Sequence, residues 1–227
     1  MTTTKTSIEY QTLGNEHQVQ FLKTDKEDEK IFATSTIQYN ENDDIIKEID
    51  EMGNVTETSY NVAKHPYLAS SEIVTAENGE WLSKTLYDYD DKTEDLLWEE
   101  ESFKDGESIK TEWKYDKCGQ ETQEIVTKDG KPDSTTQTDY QEEGIGTVQT
   151  TTVTQGKEVE TSVVKTDAMG REIENISKDG SGKILSSVMT TYDFMGRAIK
   201  SETVSDGITK SELKSYDTNG TVTSETN

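Results

Sequence analysis

Between positions 81 and 115 the chain gathers two kinds of side chain with chemical potential, aromatic rings and carboxylates. Trp81, Tyr87, Trp98, Trp113 and Tyr115 fall close together in sequence. An aromatic ring with a polar rim can stack on a sugar, so a glycan-binding surface is one reading of these five. Trp113 and Tyr115, two apart, equally suit an inward-facing ladder on a single strand. Asp88, Asp90, Asp91 and Glu94 place oxygen ligands at closely alternating positions, a pattern able to hold Ca²⁺. The ordered Asp-x-Asp-x-Asp-Gly loop with its closing glutamate is missing, which leaves a solvated acidic loop as the competing reading.

The remaining reactive types point to nothing. His17 and His65 are far apart and have no cysteine or histidine at ligand spacing, so the pattern does not point to a zinc site. Cys118 is the sole cysteine, which rules out an internal disulfide. Serine, aspartate and glutamate are so abundant that no triad or carboxylate pair stands out from the background. The expectation is a chain that is not an enzyme and uses no cofactor.

The elements that must carry these side chains are constrained by composition. Hydrophobic residues make up 29% of the 227 and the net charge is −24, values at which many chains stay disordered. Against disorder stand 34 Thr, 10 Tyr and 3 Trp, types that suit a pleated and half-buried surface, with only 2 Pro. The expectation is a thin β-sheet protein, polar on at least one side. Charge is −16 over residues 1–105 and −8 over the rest. Such a surface repels phosphate backbones and anionic lipid, so neither nucleic acid nor a membrane is an expected partner. No apolar run approaches the length of a membrane span, and the N-terminus lacks the basic start and apolar stretch of a signal peptide. Either the chain is cytoplasmic or it is a segment of a larger exported protein.

Organisation follows from an internal repeat. KYDKCGQE, DYQEEGIG, KTDAMGREI, TYDFMGRAI and SYDTNGTVT align on Gly119, Gly144, Gly170, Gly196 and Gly220, with steps of 25, 26, 26 and 24 residues. Four positions before each glycine stand Tyr115, Tyr140, Thr166, Tyr192 and Tyr216, and three before it Asp116, Gln141, Asp167, Asp193 and Asp217. The glycine can close a left-handed turn, the aspartate can accept hydrogen bonds from amides two residues on, and the tyrosine can stack on its neighbouring equivalent. Position +3 is β-branched in every copy: Thr122, Thr147, Ile173, Ile199 and Thr223. Midway lie Asp105-Gly106, Asp129-Gly130, Gln155-Gly156, Asp179 with Gly180 and Gly182, and Asp206-Gly207, read as type I′ hairpin turns. Each repeat is therefore strand, turn, strand, turn, and the array is an antiparallel β-hairpin meander.

Toward the N-terminus the signal weakens. EIDEMGNVTE keeps the aspartate and glycine in phase, YDYDDKTED keeps Tyr89 and Asp90 but puts Lys92 in the glycine's place, and YNENDD is fainter. Turn signals continue at Gly14-Asn15 and Asn78-Gly79, and IFATSTIQY and EIVTAENGEWLSKTLY read as strands. Residues 26–30 and 91–101 have the charge content of short helices, though acidic loops fit them better. No linker interrupts the chain, so the expectation is one continuous array, irregular over 1–110 and regular over 111–227.

The run from KTDAMGREIENISKDGSG through TTYDFMGRAIKSETVSDG to KSYDTNGTV resembles the YD repeats of the RHS-repeat family. That resemblance implies a long sheet wound from successive hairpins, in surface or secreted proteins that include toxin shells, with adhesive or carbohydrate-binding roles. Arginine follows the glycine only at Arg171 and Arg197, and the Asp-Pro-x-Gly element of self-cleaving shells is missing, so neither autoproteolysis nor a toxin tip carries over. About eight repeats are too few to enclose a cavity by what the family implies, so the expected fold class is all-β, an open, curved, largely single-sheet array. Its expected role is structural or adhesive, with a carbohydrate-binding module as the alternative. A glycan, or another protein at a sheet edge or face, is the expected partner.

Overall fold

The computed structural model describes residues 4–13, 16–25, 31–144, 146–205 and 207–226. The expected turn at Gly14-Asn15 and the segment 26–30 lie outside these. The described residues form eighteen strands and no helix. Cα packing divides the chain into two compact units, Met1–Glu112 with Thr127–Lys131, and Trp113–Val126 with Pro132–Asn227.

The first unit carries β1 (Thr4–Leu13), β2 (Glu16–Asp25), β3 (Ile31–Tyr39), β4 (Ile45–Ile49), β5 (Val55–Asn61), β6 (His65–Thr75), β7 (Trp81–Tyr89), β8 (Leu96–Phe103) and most of β9 (Ser108–Tyr115). Each pairs antiparallel with the next in chain order, from Thr4↔Asp25 between β1 and β2 to Trp98↔Glu112 between β8 and β9. Short reversals permit only this connectivity, because a parallel neighbour needs a long crossover. Residues 91–101 are not a helix: 91–95 form a loop and Leu96–Phe103 the strand β8. Alternating side chains along LLWEEESF match the two-residue period of a strand, which outweighs the helical tendency of its glutamates.

The second unit contains most of β10 (Glu121–Lys128), then β11 (Lys131–Glu143), β12 (Gly146–Gln155), β13 (Glu158–Thr166), β14 (Glu172–Asp179), β15 (Ile184–Tyr192), β16 (Ala198–Ser205), β17 (Ile208–Tyr216) and β18 (Val222–Thr226). From β11 to β18 each again pairs antiparallel with the next. No register among the described residues returns β18 to β11, so this meander stays open.

The abundance of threonine and serine has a structural use here. One register row runs Thr138↔Thr151↔Ser162↔Ser177↔Ser186↔Ser205 across β11 to β16. Side chains that face each other across strands can hydrogen-bond, and Thr138 and Thr151 do so at 3.3 Å, as do Thr152 and Thr161 at 3.3 Å and Thr147 and Thr166 at 2.7 Å. Apolar burial is slight. Val19 and Leu22 are the only buried hydrophobic residues among those described, and no large side chain is fully enclosed. Cohesion therefore rests on strand-to-strand contacts between chain neighbours, each such cross-strand pair adding roughly 0.2–1 kcal/mol.

Candidate functional site

The repeated turns are the most regular chemistry in the molecule. In the loop Asp167–Arg171 the Asp167 Oδ1 accepts the amides of Met169 at 2.9 Å and Arg171 at 3.1 Å, while Gly170 N donates to the Asp167 carbonyl at 2.9 Å. Asp193 does the same for Met195 and Arg197, Asp217 for Asn219 and Thr221, and Asp116 for Cys118 and Gln120. Gly170 stands at φ +74° and Gly196 at φ +84°, a region open to glycine at little cost. A bulge follows the turn, with Lys165↔Glu174 giving way to Thr166↔Glu172.

Arginine after the glycine ties one turn to the next. Arg171 Nε donates to Asp167 Oδ2 at 2.7 Å, and its guanidinium lies 4.7 Å from the ring centroid of Tyr192 in the following repeat. Arg197 repeats this with Asp193 Oδ2 at 2.7 Å and Tyr216 at 4.7 Å, and its Nη1 donates to the Asp217 carbonyl at 3.0 Å. The tyrosines reach back: Tyr192 OH donates to Glu172 O at 2.9 Å and Tyr216 OH to Ala198 O at 2.8 Å. These rings are covered by the arginine of the preceding turn, where the sequence suggested a tyrosine. Hydrogen bonds fix the carboxylates as ions. The Asp167 pKa is lowered chiefly by the Arg171 side chain, and that of Asp193 chiefly by the Arg197 amide, each against an opposing desolvation.

Several turns depart from the sequence expectation. DYQEEGIG is not a turn of this kind: β11 runs through Tyr140, which pairs with Gln149, and Glu143↔Gly146 closes a shorter loop at Gly144. Gln141 replaces the aspartate, and its longer side chain does not form the short loop that Asp does. Asp206 of the expected Asp206-Gly207 turn lies outside the described residues; among the other midway turns, only Asp129-Gly130 has positive φ at both central residues, 48° and 70°, as type I′ requires. Asp179 instead builds the same cradle as Asp167, accepting the amides of Ser181 and Lys183. The loop of YDYDDKTED is one residue longer than its relatives, and its left-handed residue is Glu94 at φ +62°, not Lys92. YNENDD forms the full cradle that the sequence scarcely showed: Asn40 Oδ1 accepts the amides of Asn42 and Asp44, and Asp43 at φ +67° takes the glycine's place. Asparagine for aspartate and aspartate for glycine are the substitutions this geometry tolerates, so the signal was present in another spelling.

The aromatic candidates do not form one platform. Two registers, Tyr87↔Glu99↔Thr111 and Glu72↔Thr85↔Glu101↔Ile109, define one face of the first unit's sheet. Asp88↔Trp98↔Glu112 and Leu86↔Glu100↔Lys110 define the other, so Tyr87 and Trp98 lie on opposite sides. Trp98 is covered by Lys110, whose Nζ is 5.3 Å from the ring centroid. Trp81, at 37% exposure, begins β7 opposite Thr75. Trp113 and Tyr115 are half-buried, two apart on β9, in the second unit.

Tyr87 and Tyr89 stack with centroids 6.5 Å apart, and Tyr87 OH donates to Glu72 Oε2 at 3.3 Å. The Tyr87 phenol is pushed up to about 12, by burial first and then by Glu72 and Glu99, and the same three causes raise Tyr89. Of the calcium candidates, Asp90 Oδ1 is taken by the Lys92 and Thr93 amides, while Asp91 and Asp88 lie 2.5 and 4.0 Å from the same Lys64 Nζ, with Asp88 on the Trp98 face. No group of three or more His, Cys, Asp or Glu among the described residues is placed to hold a metal ion. His65, which the sequence offered only as an isolated histidine, is 5% exposed. It stands edge-on to Tyr89 at 5.7 Å, with Nε2 3.7 Å from Asp91 and Nδ1 3.8 Å from Glu94, and neither nitrogen is hydrogen-bonded. In the second unit a groove of about 710 Å³ is lined by Val153, Val159, Leu185, Glu160 and Asp179, none of them a sequence candidate.

No family model matches the chain, and no curated protein matches it. Among solved structures it is similar to a porin-like protein from Bacteroides uniformis, at 13% identity over 90% of each chain with a TM-score of 0.40. It is also similar to part of a TcdB2-TccC3-Cdc42 structure, at 10% identity and a TM-score of 0.32. There the match covers 91% of this chain and 15% of the other. Likenesses this distant carry no argument, and the functional reading rests on the geometry above.

Proposed function

We propose that this chain is a non-catalytic, structural or adhesive β-repeat scaffold of the YD-repeat kind, belonging to a surface or secreted protein. The observation that carries the reading is the turn-to-turn tie, in which Arg171 and Arg197 each bind the aspartate of their own turn and cover the tyrosine of the next. A chain built this way gains cohesion by adding hairpins and needs no shared core. The slight apolar burial and the hydroxyl rows suit an extended surface exposed to water on both sides.

A glycan array on the full chain tests this against the carbohydrate-binding alternative. The scaffold reading expects no glycan retained above a control protein. Retention that disappears in Trp98→Ala or in Trp113→Ala, with folding unchanged by circular dichroism, would replace it with the module reading.

A further inference from the structure

The two faces of the first unit's sheet differ in charge in a way that β6, β7, β8 and residues 108–112 of β9 make plain. The Trp98 face carries Asp88, Glu100 and Glu112, and also both lysines of these strands, Lys84 and Lys110. Lys110 pairs with Glu112 at 3.0 Å there. The Tyr87 face carries Glu72, Glu99 and Glu101 and no lysine or arginine. Among the described residues, its carboxylates accept one side-chain hydrogen bond, from Tyr87 to Glu72. The stacked rings of Tyr87 and Tyr89 lie among these carboxylates, and their phenols are raised by burial first and then by Glu72 and Glu99.

At the loop end of the same rings sits His65, buried and with both nitrogens unbonded. A buried polar group left unpaired is costly, and one held 3.8 Å from the Glu94 carboxylate leaves a gap that a donor would close. Lys64 already neutralises Asp91, so Glu94 is the carboxylate left open beside His65.

We propose that this face, Glu72, Tyr87, Tyr89, Glu99 and Glu101 with His65 at its end, docks an extended peptide bearing arginine at alternate positions. Charge complementarity selects a cation. Aromatic faces beside carboxylates select a guanidinium, which stacks on a ring while its fork of donors binds a carboxylate, over the more strongly hydrated ammonium. Glu99 and Glu101 are two residues apart on β8, about 7 Å along the strand, the same interval at which alternate side chains of an extended peptide repeat. A guanidinium beyond Tyr89 would donate to the Glu94 carboxylate, which stands 3.8 Å from His65 Nδ1.

The test is calorimetric titration of the full chain, at physiological ionic strength, with a short peptide of alternating arginine and threonine. Saturable binding is expected, weakened by about tenfold in the double variant Glu99→Gln/Glu101→Gln. The double variant Glu100→Gln/Glu112→Gln removes the same two charges from the opposite face and is expected to change binding by less than about twofold. His65→Phe is expected to weaken binding without altering the circular dichroism spectrum. No saturable binding, or an equal loss in Glu100→Gln/Glu112→Gln, would overturn the proposal. So would spermine binding as tightly as the peptide, since that marks a diffuse attraction of the −24 chain for any polycation.

Discussion

Arg197 covers the ring of Tyr216 at 4.7 Å while donating to the carbonyl of Asp217 at 3.0 Å, so one side chain grips both the ring and the turn of the next hairpin. Its own turn holds it in place through Asp193. Removal of that side chain should therefore loosen the boundary between two hairpins more than the interior of either. Arg197→Ala is predicted to lower the urea midpoint by an amount equivalent to about 1 kcal/mol. Arg197→Lys should recover little of it, because an ammonium cannot lie flat on the ring and reach both oxygens. Midpoints from circular dichroism decide the matter, and full recovery by lysine would reduce the tie to simple charge.

Glycine is required at Gly196 for two reasons. The backbone sits at φ +84°, and a Cβ there would meet Arg171 Nη1 at 3.2 Å; at Gly170, φ +74°, a Cβ would meet nothing within 4 Å. Both Gly→Ala variants pay the left-handed penalty of about 1–2 kcal/mol, and Gly196→Ala should lose more because it also displaces the arginine. Comparison of the two urea midpoints checks this order.

The converse holds at Glu94, a non-glycine residue held at φ +62°. Glu94→Gly is predicted to stabilise the first unit by about 0.5–1 kcal/mol, relieving the left-handed strain at some cost in chain entropy. A lowered thermal midpoint would show that the carboxylate beside His65 outweighs the backbone term.

Most of the hairpin pattern was legible in the sequence because the turns spell it with Asp and Gly at fixed offsets. The sequence misled where another residue fills the same geometric role. Asn40 and Asp43 make a cradle without either signal residue, whereas Gln141 and Gly144 show a partial signal without the cradle. Arg171 and Arg197 were visible as the two copies with arginine after the glycine, yet their contacts with Tyr192 and Tyr216 depend on strand pairing some twenty residues away. The same limit applies to the aromatic cluster. Tyr87 and Trp98 are close in sequence, and only the register places them on opposite faces.

Acid should unfold the chain through its turn aspartates. Asp50, Asp90, Asp167, Asp179 and Asp193 all have lowered pKa values, with the Asn54 side chain the main cause at Asp50 and the Ser181 side chain at Asp179. A folded carboxyl held below its unfolded value, about 3.9, adds stability above that pH and loses it as pH falls through the folded pKa. The strand signal in circular dichroism is predicted to hold at neutral pH and to decline below about pH 4. Asp193→Asn should be less stable at neutral pH and show a shallower acid dependence. At the alkaline end, Tyr87→Phe should remove the phenolate step that titrates near pH 12.

The most direct measurement on the scaffold itself is the excision of one whole repeat, residues 171–196, which joins Gly170 to Arg197 and so rebuilds an Asp-x-x-Gly-Arg turn. If hairpins are held by their chain neighbours, the shortened protein should keep the strand spectrum of the parent and unfold cooperatively, with a modestly lower urea midpoint. Loss of the strand spectrum, with the parent folded under the same conditions, would show that the repeats depend on a shared core and would contradict the account.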